Sequence, residues 1–173
     1  IMADINKIFS ALNKPRVDPT VTLKSCKTLM VCPQFMREKI IAHIDKEIDE
    51  AKAGRKAEMI IKVNSLSDKS LIQKLYDAAQ AGVTVKMIVR GIYCAINQKE
   101  FKKKIYAISI VDEYLEHARV MYFYNKGAEN MYISSADWMT RNLDYRIEAA
   151  VPILQKNLKK ELKELLEIQL QDN

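Results

Sequence analysis

Apolar residues in this chain recur at two spacings, and the alternation between them predicts the elements. Thr28 to Cys32 is a short unbroken apolar run, read as a buried strand that Pro33 ends. Pro33 also opens a helix from Phe35 to Ala53, in which Ile40, Ile41, Ile44 and Ile48 recur at helical spacing and which Gly54 caps. Met59 to Val63 is a second strand, and Asn64-Ser65-Leu66-Ser67-Asp68 a loop with helix-capping residues. Leu71, Ile72, Leu75, Tyr76 and Ala79 mark a helix closed at Gly82; Val83 to Val89 is a third strand with Arg90-Gly91 at its end. Strand, helix, strand, helix, strand predicts an α/β fold with a parallel or mixed sheet and helices on its faces.

The second half changes style. Tyr106 to Val111, Val120 to Tyr124, Met131 to Ser134 and Arg146 to Val151 read as strands with short connections. A tight turn over 125–130 (Asn125-Lys126-Gly127) predicts an antiparallel hairpin. A last helix spans Leu154 to Leu170, its stripe Leu154, Leu158, Leu162, Leu165, Leu166 and Gln169 read as core packing. Ahead of all this, Ala3 to Leu12 is a short helix stopped at Asn13-Lys14-Pro15. Residues 1–25 read as a linker or peripheral arm and 26–173 as one domain. Both ends look cut from something longer.

At 173 residues the chain is long enough to bury a core. Gly and Pro are scarce at four each, which argues against disorder. The net charge of +6, from 28 basic and 22 acidic residues, suits an anionic substrate without requiring one. Cys26, Cys32 and Cys94 lack metal-ligand spacing and read as reduced thiols of a cytosolic protein. No apolar run approaches the roughly 20 residues that span a bilayer.

The chemistry concentrates in Glu116-His117-Ala118-Arg119 and in residues 134–148. Guanidinium forks neutralise phosphate oxygens bidentately, an imidazole moves protons near neutral pH, and small hydroxyls bond the remaining oxygens. His43 falls among the charged positions of its helix and reads as solvated. His117 precedes the apolar run Val120 to Tyr124, at a strand mouth where α/β sites are built. Arg90 ends a strand beside Gly91, which would let an anion approach. If the neighbouring strands are parallel, Lys62, Asn64 and Arg90 share one edge. Ser134 and Ser135 supply hydroxyls, and Asp137 can orient His117 or an arginine. Trp138 reads as a core or rim aromatic. Arg141 and Arg146 flank Asp144, and one of them can pair with Asp144 or Glu148; Arg146, opening a strand, can reach the same edge.

With those residues in view, the chain resembles bacterial polyphosphate kinase in its last domain. The resemblance rests on Lys62-Val63-Asn64-Ser65-Leu66-Ser67-Asp68, Leu75-Tyr76 with Gln80-Ala81-Gly82-Val83, and Ile88-Val89-Arg90-Gly91-Ile92. It continues in Ser109-Ile110-Val111, Tyr114-Leu115-Glu116-His117, Tyr132 to Met139, Arg141-Asn142 and Asp144 to Arg146. It covers roughly residues 26–153, and more weakly the last helix. It implies a phospholipase D-like mixed β-sheet flanked by helices, and reversible ATP-dependent growth of polyphosphate through a phosphohistidine on a preceding domain of the same chain. His117 matches the family's acid/base and phosphate ligand, and Arg90 and Arg146 match nucleotide-phosphate ligands. Magnesium is implied, with ligands outside this chain, as are ATP/ADP and polyphosphate as partners, a homo-oligomeric parent, no nucleic acid and no transmembrane segment. The implied location is cytoplasmic, with membrane association of the parent left open.

One departure stands out. Tyr93 intervenes before Cys94, and Ile96 to Lys104 replaces a Pro/Gly/Ser-rich loop. That points to a diverged subfamily, or to lysines substituting as phosphate ligands. Two other function classes compete: a homodimeric phospholipase D-type phosphodiesterase or nuclease, and a non-catalytic polyphosphate- or nucleic-acid-binding module. Against the nuclease, residue 119 is Arg where that group has Lys, and Asp137 stands where it usually has Asn.

Overall fold

The computed structural model of the chain describes residues 1–14, 16–111 and 113–172. In order these form α1 (Met2–Leu12), α2 (Pro19–Leu23), β1 (Met30–Val31), α3 (Phe35–Lys52), β2 (Glu58–Val63), α4 (Lys69–Ala81) and β3 (Thr84–Val89). Then come β4 (Tyr106–Ile108), β5 (Arg119–Phe123), a 3-10 turn (Asn125–Gly127), β6 (Asn130–Ser134), α5 (Thr140–Tyr145), β7 (Ala149–Pro152) and α6 (Lys156–Gln169). Pro15, part of the expected stop of the first helix, lies outside the described residues.

The strands form one mixed sheet in the order β1-β7-β6-β5-β2-β3-β4. All six residues of β2 are buried, as a central strand covered on both faces requires. It runs parallel to β3, with α4 as the crossover, and antiparallel to β5. Asp68 caps the start of α4 by accepting from the Leu71 amide at 3.1 Å. Gly82 ends it at φ +98°, in the left-handed region that suits glycine. The hairpin β5–β6 is antiparallel, as its turn residues predict. One face of the sheet packs Met59, Ile61, Met87 and Met121 against Ile40, Ile44, Leu71 and Leu75 of α3 and α4. The other packs Ile60, Ile88, Val120 and Tyr122 against Leu166 and Leu170 at the end of the chain.

Four expectations are corrected. The segment from Arg146 is not strand at its start: Thr140–Tyr145 is a helix and the strand begins at Ala149. That helix is too short for periodicity to reveal, and it is held by buried Leu143 and by Asp144, which bonds Arg37. The leucine stripe of α6 is buried only in part, with Leu154 at 68%, Leu158 at 41% and Leu165 at 47% exposure. The helix rests on the sheet through a rotated stripe, Leu162, Leu166 and Leu170, flanked by Lys163 on Glu129 and Gln169 on Lys62. The first strand is only two residues long and lies at the far edge, paired with β7. His43 is half-buried rather than fully solvated: its ring stacks on Phe123 at 4.9 Å and meets the Tyr132 hydroxyl at 3.0 Å. Burial pushes its pKa down to about 4.

Residues 1–25, read as a linker or arm, carry α1 and α2, and Ala11 and Leu23 bury against Cys26, Leu29 and Val31. Asp4 fastens them. Its carboxylate accepts from the amides of Lys27, Thr28 and Leu29 at 3.0, 2.7 and 3.1 Å. Burial disfavours its charge, but the Thr28 and Leu29 amides and Lys7 outweigh that and hold its pKa at about 2. Asp4→Ala strands those amides and is expected to cost about 3 kcal/mol. Against an unfolded pKa of about 3.9, the lowered value means a stabilisation complete above about pH 4 and lost as pH falls towards 2. Paired melts of wild type and Asp4→Ala at pH 7 and pH 2.5 check this, because the gap between them should narrow in acid.

Candidate functional site

Strand register collects the site residues. Val63 lies beside Val89, Lys62 beside Val120, Arg119 beside Ser134, and Ser134 beside Ala150. The carboxyl ends of β2, β3 and β6 and the amino ends of β5 and β7 therefore share one sheet edge. Lys62, Asn64, Arg90, His117, Arg119, Ser134, Ser135, Asp137, Arg141 and Arg146 all belong to segments at that edge.

The loop after β2 forms its floor. Leu66 donates to the Ile92 carbonyl at 2.7 Å and accepts from the Cys94 amide at 3.1 Å. On its other side, the Trp138 amide donates to Ser65 at 3.1 Å, and the Ser67 and Asp68 amides donate to Trp138, both at 2.9 Å. Trp138 is buried beneath this strap. The Gly91 amide donates to the Asn64 carbonyl at 2.7 Å, and a Cβ on Gly91 would lie 3.0 Å from that oxygen. Glycine thus suits the close approach of the loop, a reason different from the anion approach read from sequence.

Asp137 is the hub. Its Oδ1 accepts from the Asn64 amide at 2.8 Å and the Ser65 amide at 3.3 Å, and its two oxygens take Arg119 Nε and Nη2 at 3.1 Å each. With the Asn64 amide oxygen turned to the guanidinium, it also accepts from Arg119 Nε and Nη2, at 3.1 Å each. Burial disfavours the charge on Asp137, but Arg119 and the Asn64 amide outweigh it and lower its pKa. Arg119 thus arrives fixed against His117, with Nη1 3.4 Å from Nδ1 and Nη2 3.3 Å from Nε2. Both terminal nitrogens of Arg119 thus lie against the imidazole, and Nη1 also donates to the His117 carbonyl at 3.3 Å. His117 itself is exposed.

The other sequence candidates divide. Arg90 is half-buried at the end of β3, and among the described residues its guanidinium meets no acid. Lys62 reaches the right strand end, but its ammonium is buried on Glu116 at 2.5 Å and Gln169 at 2.9 Å, so it is no open anion ligand. Lys62 in turn lowers the pKa of Glu116. Ser134 accepts from the Ala136 amide at 3.0 Å, and Ser135 bonds Glu148. Arg146 is largely exposed and loosely paired with Glu148 at 3.9 Å; Arg141 is exposed on α5. Asp144 pairs with neither. Its partner is Arg37, bidentate at 2.6 and 2.9 Å, which also binds Asp68 at 2.8 Å. Glu148, read as a pairing partner of one of these arginines, also accepts from Asn142 at 3.0 Å, and Arg37 is the member that sequence reasoning missed. Arg37 gave no signal among the charges of α3.

Lys102 and Lys103 of the altered segment lie away from this edge, Lys102 against Gly82. Lys103 donates to the Thr84 hydroxyl at 2.8 Å, at the opposite end of β3 from Arg90, roughly 20 Å away along the strand. Lys104 donates to the Gln98 carbonyl at 2.8 Å.

Comparisons with known proteins agree with this architecture. The family model described as polyphosphate kinase C-terminal domain 2 matches residues 29–173. A polyphosphate kinase of Synechocystis sp. is 46% identical over 151 residues, 87% of this chain and 21% of that protein. The crystal structure of polyphosphate kinase from Porphyromonas gingivalis superposes with a TM-score of 0.88 at 41% identity, over 98% of this chain and 26% of that one. The phospholipase D family member Nuc from Salmonella typhimurium shares the fold, with a TM-score of 0.57 at 14% identity over 80% of this chain and 90% of that one. The chain thus spans about a quarter of the length of the polyphosphate kinases it matches.

Proposed function

The chain belongs to the polyphosphate kinase family, and from that premise we propose that it supplies the nucleotide half of an ATP–polyphosphate phosphotransfer site. In this reading the terminal phosphoryl of ATP passes to a histidine nucleophile on a preceding domain of the same protein, releasing ADP. The end phosphate of a polyphosphate chain then takes it from that histidine, and both steps run in reverse. His117 contributes a nitrogen to the phosphoryl oxygens and moves the proton as charge shifts between nucleotide and acceptor. Arg90 and Arg146 neutralise nucleotide phosphates. Arg119 is a positioning residue, held by Asp137 and aligning the imidazole, and Ser134, Ser135 and Arg141 line the approach. The parent enzyme is cytoplasmic and homo-oligomeric in this reading.

The observation that carries the reading is the Asp137–Arg119–His117 alignment at the sheet edge that also holds Arg90, whose guanidinium meets no acid among the described residues. An exposed histidine held from behind by a fixed guanidinium suits phosphoryl chemistry better than packing. Magnesium belongs to the proposed whole reaction. Among the described residues, however, no three His, Cys, Asp or Glu side chains converge to hold a metal, so no step assigned to this chain passes through the ion.

A covalent route needs a nucleophile and an acid/base, and this edge presents one exposed histidine. The chain alone, given labelled ATP and magnesium, is therefore expected to make neither acid-stable polymer nor phosphohistidine. It is expected still to bind ATP weakly, with NMR shifts at Arg90, His117 and Arg146. Robust polymer synthesis, or shifts confined to Lys99 through Lys104, would count against the assignment.

A further inference from the structure

A second basic cavity lies away from that edge. It measures about 260 Å³, and its polar lining is Lys27, Thr28, Lys39, His43, Lys46 and Tyr132. Lys39, His43 and Lys46 follow one another at helical spacing on α3, so they share a face. Lys27 and Thr28 come from the lead-in to β1, which Asp4 holds in place through their amides.

Charge balance sets this cavity apart. No carboxylate lines it. The larger cavity of about 490 Å³ has Lys52, Lys74 and Lys102, but also Asp45 and Asp77, and Lys74 reaches these at 2.9 and 3.6 Å. A third, of about 300 Å³, is lined by Lys86 and Glu167, and Lys86 is paired with Glu58 at 3.0 Å. Three ammonium groups around an acid-free cavity repel one another and leave donors unspent; Lys39 uses one on the Leu29 carbonyl at 3.0 Å. The neutral groups are pre-set, because His43 is stacked on Phe123 and bonded to Tyr132. The charge acting on His43 is that of Lys46, and burial keeps the ring neutral at ordinary pH.

We infer that this pocket is a second oxyanion site, taking a phosphoryl group such as the end of an inorganic oligophosphate. Lysines serve phosphate as point charges, whose tetrahedral oxygens can meet ammonium groups from several directions at once. The inference stands on the pocket's own charge and geometry, and does not depend on the function proposed for the sheet edge.

The test is a titration of the 173-residue chain with inorganic triphosphate at fixed ionic strength, followed by NMR at the His43 ring and the Thr28 and Lys46 amides. Saturable shifts are expected at all three. Lys27→Gln with Lys46→Gln should weaken them at least about tenfold, as loss of two charge-assisted contacts implies. Lys99→Gln with Lys156→Gln removes the same net charge elsewhere and should leave them unchanged. Absence of shifts at His43, or equal weakening by both pairs, overturns the site. Shifts at His117 without any at His43 would assign the binding to the sheet edge alone and equally overturn it.

Discussion

His117→Ala is expected to lower phosphotransfer by about 100- to 10,000-fold in the protein that joins this chain to its preceding catalytic domain, the range that general acid–base help supplies. The fold should survive. The imidazole is exposed at the start of β5, and its side-chain partner is Arg119, which Asp137 and Asn64 hold independently. Thermal melts of variant and wild type should therefore coincide. Arg90→Ala should act differently, weakening nucleotide binding and rate together, because a phosphate ligand's charge serves both the ground state and the transition state. Arg90→Lys should recover only part of the loss, since the bidentate fork is gone. Steady-state kinetics on the three variants separate these roles. Near-normal turnover of His117→Ala, or loss only through unfolding, would make the histidine structural and remove the centre of the proposed mechanism.

The two halves of the chain differed in how much their sequence disclosed. Met59 to Val63 and Val83 to Val89 are read easily, since strands buried on both faces must be continuously apolar, and α4 carries both its terminal signals in Asp68 and Gly82. The parallel pairing of β2 with β3 then places Asn64 beside Arg90 at one edge, as expected. What the pattern could not disclose was decided by distant partners. Lys62 looks available in sequence, but Glu116 and Gln169 close over it from 54 and 107 positions away. Asp144 looks like a partner for its neighbours Arg141 and Arg146, yet Arg37 reaches it across 107 positions. His43 looks solvated among charges, but a helix buries more than its apolar stripe, and Phe123 and Tyr132 cover the ring. At the site, residue types near His117 were legible, while the geometry was not. Asp137 was read as an orienter of either His117 or an arginine, and the structure has it grip the arginine, whose terminal nitrogens in turn meet the histidine ring.

That arrangement makes Asp137 the site residue whose loss should cost most in stability. Asp137→Ala leaves the Asn64 and Ser65 amides without their acceptor and Arg119 without its carboxylate, in a place where Asp137 itself is 7% exposed. Removing one partner of a buried ion pair costs roughly 3–5 kcal/mol. Asp137→Asn keeps an oxygen for the two amides but removes the charge that fixes Arg119, so it should cost less stability while still disturbing His117. The pH dependence has a definite sign. The carboxyl is held below its unfolded value of about 3.9, so its contribution is complete above that pH and is lost as the solution is acidified further. Denaturant midpoints of wild type and Asp137→Ala should thus lie far apart at pH 7 and converge below pH 4. In Asp137→Asn, the His117 ring resonances should move while those of His43, on the other helix-packed part of the sheet, stay in place. If the His117 signals of Asp137→Asn match wild type, Arg119 is not held for the histidine's sake, and the alignment that carries the functional reading is only packing.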